Sequence, residues 1–420
     1  MEERYEIPGA LVRDRSVTVP LHWRDDDGET ITVFVRELVH PDERDADLPL
    51  LLFLQGGPGG RSPRPTGGSW IPRALRDFRV VLLDQRGTGR SSRVTGASIR
   101  RFPDARAAAA HLLAFRADSI VADAEHVRAT LYGGRRWTTL GQSYGGFVTL
   151  TYLSAAPQAL DRCLVTGGLP ALRPDARELY RRTYPRVAGK VRRFYDRFPG
   201  DVARAGAVAD RLAAGPVRLP DGDVLSVRRL QTVGHVLGTR AGPTELHWLL
   251  EEALDDGTRT GLSDTFLDQV ARRTSYWDDP LYAALHESIY GSGTAVPGWA
   301  AEAERGREFD GDRRPLPFTG EMIYPWMFDE IASLRAFAPA AHALAERTEF
   351  PELYDAGRLA ANEVPVDAAV YFDDMYVDAD LSLATAEAVG NVRTWVTNEY
   401  EHDGLRTGDV LDRLLGLRTR

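Results

Sequence analysis

Apolar residues in this chain gather into short solid runs at 50–55, 80–83 and 163–166, closed by Gly56, Asp84 and Gly167. Runs without polar alternation suit strands buried on both faces of a parallel sheet. Two β-like segments precede them, at 16–23 and 31–39. The turn-prone Asp25-Asp26-Asp27-Gly28 between them predicts a hairpin. A helical stretch covers 105–131, and a short β-prone run at 137–140 leads through a glycine-flanked turn into a helix-like run at 147–153. The pattern stops near Gly168. Residues 172–347 are mostly helical in character and rich in Arg, Glu, Ala, Tyr and Trp. Sheet signals return at 366–372 and 392–397. This organisation predicts an α/β protein with a mostly parallel central sheet and helices on both faces. A large helical insertion, 171–347, separates its two halves, 1–170 and 348–420. Neither an internal repeat nor a low-complexity linker is evident.

Composition narrows the class. The 420 residues are 43% hydrophobic and 27% charged, the balance of a soluble globular protein with ample core. A net charge of −9, from 61 acidic and 52 basic residues without a polybasic block, argues against a nucleic-acid partner. The pairs Arg135-Arg136, Arg192-Arg193 and Arg313-Arg314 read as solvated surface. Cys163 is the only cysteine and lies in an apolar run, which suits a reducing compartment and a buried strand position. The charged Met1-Glu2-Glu3-Arg4 start is unlike a secretory signal, and no apolar stretch approaches the ~20 residues of a membrane helix. A cytoplasmic protein is expected; the oligomeric state is not encoded in any feature of the chain.

Chemistry centres on Gly141-Gln142-Ser143-Tyr144-Gly145. A serine in Gly-x-Ser-x-Gly, between a strand and a helix, sits on a sharp turn that presents its hydroxyl as a nucleophile. Such a serine needs a histidine base and an orienting carboxylate. Of nine histidines, His22, His40, His111 and His126 precede the serine, and His235, His247, His286 and His342 lie in the insertion. His402 follows the last predicted strand in the polar loop Glu399-Tyr400-Glu401-His402-Asp403-Gly404, where active groups of parallel sheets gather. Asp373, Asp374 and Asp378 follow the preceding strand as candidate acids. An oxyanion hole requires two backbone N–H groups; Tyr144, next to the nucleophile, and Gly57, in the glycine-rich loop after 50–55, are the expected donors. Phosphate-loop patterns are absent from that loop. His-Glu-x-x-His is absent too, and Asp255-Asp256 and Asp278-Asp279 adjoin Gly or Pro as turn formers do, so neither a metal nor a cofactor is expected.

With these residues assembled, the chain resembles the prolyl aminopeptidase (proline iminopeptidase) family of α/β-hydrolases. Gln55-Gly56-Gly57-Pro58-Gly59-Gly60 is similar to that family's His-Gly-Gly-Pro-Gly-Gly loop. Asp84-Gln85-Arg86-Gly87-Thr88-Gly89-Arg90-Ser91 resembles its Asp-Gln-Arg-Gly-x-Gly-x-Ser motif and is the most specific match. The serine turn stands where the family has Gly-Gly-Ser-Trp-Gly, and an ungapped match from Val364-Pro365 to Asp374-Met375 puts the family's triad acid on Asp374. Gln55, Gln142 and Asp373-Asp374 depart from the family pattern.

The resemblance implies an α/β-hydrolase fold whose helical cap carries glutamates for the substrate's free α-amine. Gly320-Glu321-Met322-Ile323-Tyr324 resembles the family's Glu-x-x-Tyr segment, which implies amine binding by Glu321, with Glu287 as second candidate and Gln55 also facing substrate. Tyr324, Trp326 and Phe328 are candidates for an apolar proline slot or for cap packing. The implied activity is removal of N-terminal proline from small peptides through Ser143, His402 and Asp374. The alternative on the same fold is an esterase or lactonase acting on small esters or amides.

Overall fold

The computed structural model describes residues 2–24, 28–173 and 175–417; Asp25, Asp26 and Asp27 of the predicted hairpin turn lie outside them. Nine strands form one sheet: β1 Glu3–Ile7, β2 Ala10–Pro20, β3 Thr30–Val39, β4 Leu50–Leu54, β5 Arg79–Asp84, β6 Trp137–Gln142, β7 Leu160–Thr166, β8 Val366–Tyr371 and β9 Val392–Thr397. Their order is β1-β2-β3-β5-β4-β6-β7-β8-β9. The first three strands pair antiparallel, and β3 pairs antiparallel with β5; every pairing from β5 to β9 is parallel.

The solid apolar runs are buried on both faces for the reason their patterning suggests. Leu50, Leu52, Leu54, Val81 and Leu83 face one core with the helices Ala117–Tyr132 and Tyr144–Ala155. Leu51, Phe53, Val80 and Leu82 face the other with Ile71, Ala74, Val410 and Leu414 of helices Ile71–Ala74 and Val410–Gly416. Between β7 and β8 the described chain contains no strand and runs from helix Ala176–Arg197 to helix Ala356–Ala360.

Two local expectations are corrected. The first long strand begins at Ala10, not at 16, and pairs with a strand at Glu3–Ile7 that the apolar pattern did not signal. That edge strand is exposed along most of its length, so it carries charge instead of alternation. The helical stretch 105–131 is two helices, Ala105–Leu113 and Ala117–Tyr132. The break places Arg116 in extended backbone and turns its buried guanidinium toward the carbonyls of Gly291 and Pro351.

The Asp-Gln-Arg-Gly-x-Gly-x-Ser segment is a frame beneath the serine turn. Arg86 is 1% exposed, and its guanidinium donates to both Asp123 oxygens at 2.6 and 2.7 Å and to the carbonyls of Pro20, Leu21 and Ala114. Asp84 accepts from the Ser62 and Arg90 N–H groups and a two-pronged bond from Arg64. A Cβ on Gly89 would lie 2.1 Å from Asp84 Oδ2, so this bend admits only glycine. Gln85 Nε2 donates to Gln55 O at 3.0 Å, tying the frame to the glycine-rich loop. Removing one partner of a buried ion pair leaves the other uncompensated. Arg86→Met is therefore expected to lower unfolding stability by about 3–5 kcal/mol, read from the urea midpoint; an unchanged midpoint would contradict the framing role.

Candidate active site

Ser143 ends β6 and starts helix Tyr144–Ala155 with φ 54° and ψ −125°, a strained conformation for a residue with a side chain. Crowding explains its glycine neighbours. A Cβ on Gly145 would lie 1.9 Å from Leu54 O, and one on Gly141 would lie 2.4 Å from Gly145 O. The turn is held by Ser143 N–H donating to Thr166 O at 3.0 Å and by Gly146 N–H donating to Ser143 O at 2.7 Å. The glycine-rich loop lies directly against it: a Cβ on Gly56 would be 3.0 Å from Ser143 Cβ and 3.7 Å from Ser143 Oγ. Gly57 follows at φ +131°, and Tyr144 N–H lies at the helix start. Backbone donors at a helix N-terminus favour negative charge.

His402 Nδ1 is 2.6 Å from Asp374 Oδ2, and both residues are buried, at 9% and 1% exposure. The other Asp374 oxygen accepts from Tyr376 N–H at 2.8 Å and Val377 N–H at 3.1 Å. The carboxylate is thus fixed, and it can hold the imidazole with its other nitrogen free to act as a base. The Tyr376 ring meets the imidazole edge-on at 4.8 Å between centroids. The insertion grips this loop as well: His402 N–H donates to Gly238 O and Arg240 N–H to Asp403 Oδ1. Burial acts to lower the His402 pKa, but the charge and hydrogen bond of Asp374, with Glu321 beyond, raise it above the ordinary 6.5.

The other candidate acids are engaged elsewhere. Asp378 caps helix Ala379–Ala388 and pairs with Arg186 at 2.8 Å. Asp373 is partly exposed and pairs with Arg193 at 3.5 Å. Cys163 is buried, and burial pushes its thiol up to about 12, so it is inert at neutral pH.

Ser143 and His402 open into a chamber of about 500 Å³, also lined by Gln55, Gly57, Gln142 and Glu321. A larger cleft of about 1040 Å³, beside Trp23 and Tyr354, includes none of the proposed reacting groups and has no part in this site. Glu321 comes from the insertion and accepts a hydrogen bond from Tyr282 Oη at 2.5 Å. Burial first, then Glu321, raises the Tyr282 pKa well above its ordinary value, so Tyr282 stays a donor. Glu321 also acts on His235, whose pKa burial lowers and Glu321 partly restores. Glu321 thus acts electrostatically on both His235 and His402 across the chamber.

One expectation is corrected here, and for the cap aromatics the packing alternative is the one found. Glu287 does not line the chamber: its oxygens accept the N–H groups of Ala300 and Ala301 at 2.9 and 2.8 Å. Burial raises its pKa to about 7, against the pull of those backbone N–H groups. The aromatic residues Tyr324, Trp326 and Phe328 do not line it either; Tyr324 and Phe328 are buried in the core, with Tyr324 Oη 3.0 Å from Tyr184 Oη. The apolar wall is instead Tyr276, Tyr282, Met322, Ile323 and Tyr376. Sequence reasoning missed this wall because its residues come from separated segments; Met322 and Ile323 adjoin Glu321 and were the one available signal. It also missed Arg406, four residues after His402 and outside any motif.

The alpha/beta hydrolase fold model matches residues 49–209. A proline iminopeptidase of Aeromonas sobria is 46% identical over 98% of this chain and 98% of its own length. The proline iminopeptidase aneH of Aspergillus aculeatus is 32% identical, over 95% of this chain and 92% of its own.

A base fixed in this way should deprotonate Ser143 only when neutral. Labelling of Ser143 by a fluorophosphonate is therefore expected to rise with pH through an apparent pKa above 6.5. In Asp374→Asn the limb is expected to move to lower pH and the rate to fall by about four orders of magnitude. A limb that stays in place would contradict the Asp374–His402 coupling.

Proposed function

This chain belongs to the proline iminopeptidase family of α/β-hydrolases, and on that premise we propose that it is a serine aminopeptidase releasing N-terminal proline from small peptides. The observation that carries the proposal is the convergence of Ser143, His402 and Glu321 on one chamber. Residues 171–347 act as the cap domain, and 1–170 with 348–420 as the catalytic core. The lone buried Cys163 favours a cytoplasmic setting, and among the described residues no helix is long and apolar enough to cross a membrane.

In the proposed mechanism Ser143 Oγ attacks the carbonyl carbon of the N-terminal proline while His402 takes its proton. Asp374 holds the imidazole tautomer and stabilises the imidazolium. The N–H groups of Gly57 and Tyr144 receive the oxyanion. His402 returns the proton to the leaving amine as the C–N bond breaks, leaving a prolyl ester on Ser143. Water, deprotonated by His402, then hydrolyses that ester to free proline.

Glu321 pairs with the ammonium of the substrate's proline nitrogen, and a shielded carboxylate of this kind favours a charged partner over a neutral one. Gln55 faces the same space. Met322, Ile323 and Tyr376 supply apolar surface for the pyrrolidine ring.

A panel of free and N-acetylated prolyl amides tests this reading. Free prolyl amides are expected to be cleaved, with N-acetylation costing at least about 100-fold in kcat/KM, because a site built for a substrate N–H rejects analogues that lack it. Ser143→Ala is expected to remove at least about three orders of magnitude. Turnover of small esters with no cleavage of prolyl amides would favour the esterase or lactonase alternative.

A further inference from the structure

The chamber holds a cation in a position that the chemistry above does not use. Arg406 lies on the short helix Gly404–Thr407, four residues beyond His402, and lines the chamber with Ser143 and Glu321. Among the described residues the one hydrogen bond of its guanidinium runs from Nε to Gln142 Oε1, at 3.3 Å. Gln142 immediately precedes the nucleophile and is 3% exposed. The bond to Nε therefore orients the guanidinium and leaves both terminal nitrogens without a bonded partner. Desolvation lowers the Arg406 pKa, opposed by the charge of Asp403, as expected of a cation short of compensating anions.

Two opposite charges act on the same base. Glu321 raises the His402 pKa, and Arg406 lowers it. A peptide of one proline and one further residue carries the matching pair, an ammonium at one end and a carboxylate at the other. The leaving amine takes its proton from His402, and in a dipeptide the free carboxylate carbon is two bonds from that amine nitrogen, about 2.5 Å away. A cation beside His402 is thus where this carboxylate arrives, and two free guanidinium nitrogens match a carboxylate in a two-pronged bond. The chamber volume of about 500 Å³ also suits a short ligand.

We propose that Arg406, oriented by Gln142, binds the free C-terminal carboxylate of the substrate and makes dipeptides with N-terminal proline the preferred class. This rests on the aminopeptidase reading above. The test compares kcat/KM for Pro-Ala and for Pro-Ala-amide, which differ only in the terminal charge, in the wild type, Arg406→Met and Arg406→Lys. The wild type is expected to favour the free acid by about tenfold or more, chiefly through KM, as a charged hydrogen-bonded pair would give. In Arg406→Met the ratio is expected to fall to within about threefold of unity, with Arg406→Lys between the two because it keeps the charge and loses the fork. A wild-type ratio near unity, or a preference that survives in Arg406→Met, overturns the proposal. The wild-type ratio decides even if the Met variant does not fold. Cleavage of neither substrate by the wild type would instead sink the aminopeptidase reading, and this inference with it.

Discussion

The close approach of backbone to backbone around Ser143 is the constraint on which the rest of the site depends. Gly145 rests against Leu54 O, Gly141 against Gly145 O, and a Cβ on Gly146 would lie 2.1 Å from Gly168 O. Three sheet-end segments, from β4, β6 and β7, therefore meet with no side chain between them. That contact presses the glycine-rich loop after β4 against the serine and forces Ser143 into its strained conformation. The buried Arg86–Asp123 pair and the Asp84 network brace the next strand, and Gln85 carries that brace back to the loop through Gln55.

The two sides of the proposed chemistry have different origins. The core supplies groups fixed by strand ends, with Asp374 following β8 and His402 following β9. The insertion supplies Glu321 and most of the apolar wall, Tyr376 coming from the core loop after β8, and it grips the His402 loop through the carbonyl of Gly238. Charge placement follows the same division: Asp374 and Glu321 raise the pKa of a base that burial alone would lower. An ammonium bound at Glu321 would offset that second carboxylate and bring the base closer to its neutral form.

Legibility in the sequence followed the physics of each part. Strands buried on both faces are solid apolar runs, and β4 at Leu50–Leu54 and β5 at Arg79–Asp84 fall on the predicted runs at 50–55 and 80–83. The exposed edge strand Glu3–Ile7 carried no such run. The turn at Ser143 was legible because its crowding demands glycine at fixed spacing. Asp374 could be singled out from Asp373 and Asp378 only through family resemblance, since strand-end loops commonly carry several acids and only geometry separates the engaged one. The insertion was least legible. Glu287 and Glu321 look alike as sequence, yet one is bonded to the backbone of Ala300 and Ala301 and the other faces the chamber. That difference depends on how distant helices pack, which no local pattern records.

The central claim is that a core-borne nucleophile acts on substrates selected by an insertion-borne carboxylate. The most direct measurement is the ratio of kcat/KM for proline p-nitroanilide to that for p-nitrophenyl acetate, in the wild type and in Glu321→Gln. The anilide presents an ammonium to Glu321, whereas the acetate ester has none. The account predicts that the ratio falls by about 100-fold in Glu321→Gln, the order expected for losing a shielded charged hydrogen bond. An unchanged ratio would contradict it.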